Sequence, residues 1–165
     1  MMITLTGFMG SGKTTVGKVL ADFLGCPFMD LDDLIVKKAG KSIPEIFAQD
    51  GEPAFRELEA RLLRQTVEKY AESTAVLALG GGAILAPASA ALLREKTVCI
   101  YLHATLDTLL ARLAGETAGR PLADDAFAAR LASREPLYEE TAHVIIDTDG
   151  LSPDEVADEI IISAL

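Results

Sequence analysis

Gly7-Phe8-Met9-Gly10-Ser11-Gly12-Lys13-Thr14 carries more structural information than any other segment of the chain. It is a glycine, four open positions, then Gly-Lys and a hydroxyl residue. It stands between a strand-like run at 2–6 and a helical pattern at 13–25. That context is what a phosphate-binding loop requires. The glycines let the backbone curl so that successive N–H groups converge on phosphate oxygens. The helix opening near Lys13 adds the positive end of its dipole. Lys13 has the reach for the outer phosphates of a nucleoside triphosphate, and the Thr14 hydroxyl can ligate a magnesium ion. Gly10, Ser11, Gly12, Lys13, Thr14 and Thr15 are therefore the candidate nucleotide-binding residues.

Outward from this loop, four more strand-like runs lie at 26–30, 75–79, 97–102 and 143–147. The run Thr97-Val98-Cys99-Ile100-Tyr101-Leu102 is almost wholly apolar, as a strand covered on both faces should be. Helices are expected at 13–25, 31–39, 43–49, 53–72, 87–94, 105–114, 124–133 and 153–164. Thr105 and Ser152 stand where N-caps belong, and Pro153-Asp154-Glu155 completes a strong start signal. Strands alternating with helices predict an α/β fold with a parallel sheet between two helical layers. The 165 residues suit one domain, 1–165, without repeats or a linker. The stretch 116–126, with Gly119, Pro121 and paired aspartates, is the least regular and reads as a mobile loop.

Composition excludes several classes. A formal charge of −10 and few aromatics argue against nucleic-acid partners and anionic membranes. No apolar run approaches the ~20 residues of a membrane helix. Nothing resembling an export signal precedes the first strand, so a cytoplasmic protein is expected. Cys26 and Cys99, each in an apolar run, read as reduced, buried thiols rather than a disulfide or metal pair. In so acidic a chain, any anion must be held by a local cluster of Lys and Arg.

The candidates for that cluster, and for the chemistry beside it, lie in separate segments. Asp30 and Asp32 end the second strand run, where alternation would point both to one face. Ligands of doubly wound sheets sit beyond such carboxyl ends. One carboxylate there could support Mg2+ and the other orient an acceptor hydroxyl and take its proton; Asp33 reads better as acid for a helix start. Arg56 and Glu59, three apart, share a helical face, so Glu59 could orient the guanidinium. Gly80-Gly81-Gly82 directly follows a strand and permits close backbone approach by a ligand, although a plain flexible turn has the same composition. Arg120 falls in the irregular loop, and Arg134 after the short helix that follows it. A mobile arginine could stabilise transferring phosphate, and a fixed one could pair with a substrate carboxylate.

Taken together, these segments resemble the shikimate kinase family. The resemblance rests on Asp30-x-Asp32, Gly40-Lys41-Ser42-Ile43-x-Glu45-Ile46-Phe47 and Gly51-Glu52-x-x-Phe55-Arg56-x-x-Glu59. Gly80-Gly81-Gly82-Ala83, Arg120-Pro121-Leu122 and Arg134-x-Pro136-Leu137-Tyr138 continue it in order. It implies a P-loop three-layer sandwich with a five-stranded parallel sheet in the order 2-3-1-4-5. It also implies transfer of the ATP γ-phosphate to the 3-hydroxyl of shikimate. By motif position Asp32 would be the base, Lys13 and Arg120 would act on the phosphates, and Arg112 would lie along the adenine. Arg56 and Arg134 would grip the shikimate carboxylate, with Gly80, Gly81 and Gly82 against the ring hydroxyls. Thr14 and Asp30 would serve Mg2+. Phe47 and Phe55 are pocket walls on this view and ordinary core residues on the other. The acceptor region would be about 31–60 and the lid about 115–126, shorter than is usual in the family. Leu77-Ala78-Leu79 lacks the hydroxyl many relatives carry before the glycines, so no metal role is assigned there. A monomer acting on shikimate and ATP is expected. The sequence also leaves open a kinase for another small acceptor, such as gluconate or a nucleotide, and a non-catalytic nucleotide-binding module.

Overall fold

The computed structural model describes residues 1–116 and 125–165. Strand β1 (Met2–Thr6) is buried along its whole length and forms the centre of the sheet. It pairs in parallel with β3 (Ala75–Ala78) on one side, Ile3 against Val76, and with β4 (Thr97–His103) on the other, Ile3 against Val98. Strands β2 (Phe28–Asp30) and β5 (Val144–Asp147) complete the order β2-β3-β1-β4-β5, all parallel. The expected architecture and strand order are both present.

Strand alternation sends side chains into two cores. Ile3, Leu5, Ile100 and Leu102 face α1 (Lys13–Leu24) and α8 (Pro153–Ala164), meeting Val16, Leu20 and Ile160. Met2, Leu77, Cys99 and Tyr101 face the opposite layer. That layer holds α2 (Leu31–Ala39), α3 (Ile43–Gln49), α4 (Glu52–Lys69), α5 (Pro87–Lys96) and α7 (Asp125–Thr141). Helix α6 (Leu106–Glu116) follows β4, and Leu109 and Leu113 join the same core. The caps follow local chemistry. Ser42 with Glu45 and Ser152 with Glu155 form capping boxes, and Thr105 Oγ1 accepts the Thr108 N–H at 3.3 Å.

Three expectations change. The helix expected at 124–133 extends to Thr141 and contains both Arg134 and Pro136. Proline removes one helical hydrogen bond, but Pro136 is exposed, while Leu131, Tyr138 and Thr141 anchor the buried face on either side of it. Asp30 and Asp32 do not share a strand. Strand β2 ends at Asp30, which caps α2, and Asp32 lies in that helix's first turn beside Asp33. A 3-10 turn (Ala83–Leu85), absent from the sequence reading, follows the glycines. Both cysteines are free; Cys99 is buried in β4, but Cys26 is half-buried in the loop before β2. No helix among the described residues is long and apolar enough to cross a membrane.

Candidate active site

The parallel sheet gathers the candidate groups among the described residues at one edge, the carboxyl ends of its strands. After β1 the loop turns through Gly10 (φ 84°) and Gly12 (φ 94°), conformations that side-chain-bearing residues rarely adopt, before α1 begins at Lys13. Lys13 Nζ folds back onto the loop, donating to Gly7 O at 2.6 Å and Phe8 O at 3.0 Å. Burial pulls Lys13 down to about 8, against the opposing attraction of Asp32 and Asp30. Ser11 is buried as a whole residue, its Oγ without a hydrogen-bond partner among the described residues, whereas Thr14 and Thr15 are exposed.

Beside the loop lies a cavity of about 350 Å3, bounded by residues 10–16, Arg112, Thr148 and Pro153. Arg112 spans its wall. Its Nη1 donates to Gly10 O, Ser11 O and Thr148 Oγ1 at 3.2–3.4 Å, and its Nη2 donates to Thr148 O at 3.1 Å. Arg112 thus ties the phosphate loop to the segment after β5. Thr148 and Pro153 escaped the sequence reading, which saw Pro153 only as a helix-start signal.

Asp30 makes two kinds of contact. Its Oδ1 accepts the amides of Asp32 at 2.9 Å and Asp33 at 3.4 Å, capping α2. Its Oδ2 accepts the Thr14 hydroxyl at 2.8 Å. The cap holds Asp32 close to Lys13. Burial and the neighbouring Asp30 charge raise the Asp32 pKa, with Lys13 and Arg56 pulling the other way.

The glycine turn after β3 organises the rest. A Cβ added at Gly80 would stand 2.9 Å from Asp32 Oδ1, and one at Gly81 would stand 3.3 Å from Arg134 Nη1. At Gly82 it would collide with the guanidinium of Arg56, 2.6 Å from Nη2 and 2.8 Å from Cζ. Three consecutive glycines therefore face three separate candidate side chains, from α2, α7 and α4. Arg56 is fixed by Glu59 at 2.9 Å and Glu52 at 3.6 Å, and lies 5.1 Å from the centre of the Phe55 ring. Glu59 is almost wholly buried, which raises its pKa, while its hydrogen bond from Arg56 opposes that shift. Arg134 rests 5.7 Å above the ring of Phe8, a residue of the phosphate loop itself. Phe47 and Phe55 stack at 4.8 Å; Phe55 is buried, and Phe47 is partly exposed beside it.

The structure thus brings Lys13, Asp32, Arg56, Arg134 and Gly80–Gly82 together, with Thr14 and Asp30 at the phosphate side and Arg112 on the cavity wall. Arg120 and most of the expected lid, 115–126, lie outside the described residues. The supporting roles of Phe8 and Tyr138 escaped the sequence reading; the one available signal was the spacing of four between Arg134 and Tyr138.

Comparisons with known proteins identify the family. The family model described as shikimate kinase matches residues 9–164. The chain is 43% identical over 164 residues to the shikimate kinase of Enterococcus faecalis, spanning 96% of this chain and 95% of that one. It is 47% identical over 163 residues to the shikimate kinase of Geobacter sulfurreducens, spanning 96% and 87%. Among solved structures, shikimate kinase from Acinetobacter baumannii in complex with shikimate superposes with a TM-score of 0.85 at 35% identity, spanning 97% of this chain and 90% of that one. A phosphate loop facing an acid and two arginines, matched over nearly its whole length by such relatives, makes this chain a member of the shikimate kinase family.

Proposed function

We infer that the protein phosphorylates shikimate with ATP, moving the γ-phosphate to the 3-hydroxyl to give shikimate 3-phosphate. The observation that carries this reading is the glycine turn. Its three backbone units face one carboxylate and two guanidinium groups, next to a loop that binds phosphate. A carboxylated cyclic alcohol meets that pattern with its acid on Arg56 and Arg134 and one hydroxyl at Asp32. The paired arginines suit a planar carboxylate, to which guanidinium groups can offer two parallel N–H donors.

Asp32 holds the attacking hydroxyl and accepts its proton as the O–P bond forms. Its raised pKa makes it a better base than an ordinary aspartate. Lys13 leaves its resting bonds to Gly7 O and Phe8 O for the outer phosphates, where its charge offsets that of the transferring group. The adenosine end occupies the cavity along Arg112. Thr14 and Asp30 offer a hydroxyl and a carboxylate 2.8 Å apart, hard oxygen donors suited to Mg2+ and its water shell. When bound, that ion would neutralise charge on the phosphates. Arg120 and the lid, 115–126, would cover the phosphates, and residues 31–60 would form the acceptor region of a single domain. We take the enzyme to act as a cytoplasmic monomer.

The test is ADP release with ATP and each of shikimate, gluconate and nucleoside monophosphates. Turnover with shikimate alone is expected. Turnover with another acceptor and none with shikimate would overturn the substrate assignment, and acceptor-independent nucleotide binding without turnover would leave a binding module.

A further inference from the structure

Tyr138 lies one helical turn beyond Arg134 on α7, so both side chains project from the same face. It is fully buried, and its hydroxyl donates to Gly81 O at 2.6 Å. Its ring packs against Tyr101 with centroids 5.1 Å apart and planes inclined by 35°. A buried phenol satisfied by a main-chain carbonyl is common, but this carbonyl belongs to the middle glycine of the turn that faces Asp32, Arg134 and Arg56. Glycine has no side chain with which to anchor itself. In this turn Gly80 O and Gly82 O accept the amides of Ala83 and Leu85 at 3.1 Å each, whereas the middle carbonyl, Gly81 O, is held by a group far along the chain. Gly81 is held on one side by the Tyr138 hydroxyl, and Arg134 Nη1 approaches it closely.

We propose that Tyr138 is a positioning residue for acceptor binding. Through its bond to Gly81 O it fixes the glycine turn at a set distance from the Arg134 guanidinium carried on the same helix. The Arg134 side chain bears on that hydroxyl too. Burial pushes the phenol up to about 12, and the charge of Arg134 and a hydrogen bond from it act in the opposite direction. One hydroxyl therefore registers a carboxylate-binding arginine against the backbone that meets the ring hydroxyls. This proposal rests on the acceptor reading given above.

Tyr138→Phe keeps the ring in its stack and removes only the bond. With the parent enzyme turning over shikimate, the variant should raise the shikimate KM by roughly tenfold, the loss of one good hydrogen bond, while the KM for ATP stays unchanged. Tyr101→Phe, which trims a hydroxyl from the neighbouring ring, should leave the shikimate KM alone. In a cycle with Arg134→Lys, the two effects on shikimate KM should fall short of additive, because both act on one geometry. An unaltered shikimate KM in folded Tyr138→Phe, a parallel rise in both KM values, or strict additivity with Arg134→Lys would each overturn the proposal. Should Tyr138→Phe fail to fold, tetrafluorotyrosine at this position retains ring and hydroxyl but lowers the pH at which the proton is lost. The shikimate KM should then rise with pH where that of the parent does not, and a flat profile overturns the proposal. A parent enzyme inactive toward shikimate would instead sink the acceptor reading itself.

Discussion

Gly82→Ala separates what the glycine turn does for function from what it does for stability. Gly82 sits at φ −102° and ψ 4°, a conformation open to alanine, so the substitution introduces no backbone strain. What it introduces is a methyl group where the Arg56 guanidinium lies. Arg56 Nη1 stands closer still than Nη2 at 2.6 Å, so the guanidinium must retreat by roughly 1 Å to reach ordinary contact. The obstacle is the far end of a long side chain, so the fold can yield at little cost. The displaced group is the one proposed to hold the acceptor carboxylate. A misplacement of about 1 Å can cost on the order of a hundredfold in rate, and loss of one charge-assisted hydrogen bond is worth about 1.5–3 kcal/mol. These correspond to a fall in kcat/KM for shikimate of roughly 10- to 150-fold. The Arg56 side chain is 27% exposed, and the resulting solvent screening places the expected fall toward the smaller end.

Stability should move little. Replacing glycine by alanine at a compatible conformation restricts the unfolded chain and stabilises by about 0.4–1 kcal/mol, which offsets the local crowding. The assay is steady-state turnover with shikimate varied at saturating ATP, paired with a thermal melt. A variant that melts near the parent temperature and retains kcat/KM within twofold would refute the role given to Arg56. One that melts far below it would refute the claim that Arg56 yields more easily than the fold.

Three further substitutions probe the acid pair. Asp32→Asn should reduce kcat by roughly 100- to 10,000-fold, the range for a general base, with ATP affinity changed far less. Because burial and Asp30 raise the folded pKa of Asp32, its ionised form weighs against folding. The stabilisation linked to its protonated form is fully present below the unfolded value and is lost as pH rises through the raised folded value. Asp32→Asn should therefore melt higher than the parent at neutral pH, with the gain vanishing in acid. The acid limb of kcat/KM should also lie above the ordinary aspartate range; equal melting at pH 7 or a limb in that range contradicts the assignment. Asp30→Ala should lose the α2 cap, about 1 kcal/mol or some 2–4 °C, whereas Asp30→Asn keeps the cap and its melting temperature but should need more Mg2+ for half-maximal rate. Equal melting losses in both variants, or an unchanged Mg2+ requirement in Asp30→Asn, would contradict this division of roles.

The fold was legible because its signals are local and repeated. Five apolar runs between helical patterns can pack in few ways, and the glycine loop marks which strand is central. The site was legible only as separate pieces. Asp30 illustrates the limit, since strand alternation gave the right neighbourhood for a wrong reason. A cap on the residue that ends a strand outweighs alternation: the helix starts at Leu31, as expected, so Asp32 lies in its first turn and not on the strand. Arg134 illustrates another. The helix expected at 124–133 runs on through Pro136 to Thr141, because Leu131 and Tyr138 anchor its buried face, and their burial is visible only in the fold. The pairing of each glycine with one side chain joins four segments far apart in the chain, and no local pattern encodes it.

The opposite shifts of Lys13 and Asp32 have one cause. Both are withdrawn from water, which disfavours the cation on one and the anion on the other, and each is the other's main compensation. With the roles proposed above, the free enzyme holds a cation meant for the phosphates and a base meant for the acceptor hydroxyl in surroundings that disfavour the charge of each. A triphosphate at Lys13 would bring negative charge to it and so draw off some of its attraction for Asp32. The Asp32 carboxylate would then gain basicity as an acceptor hydroxyl comes to lie against it. Nucleotide binding and proton acceptance would on this reading be coupled through one half-buried pair, with Asp30 bonded to the Thr14 hydroxyl on one side and the amide of Asp32 on the other.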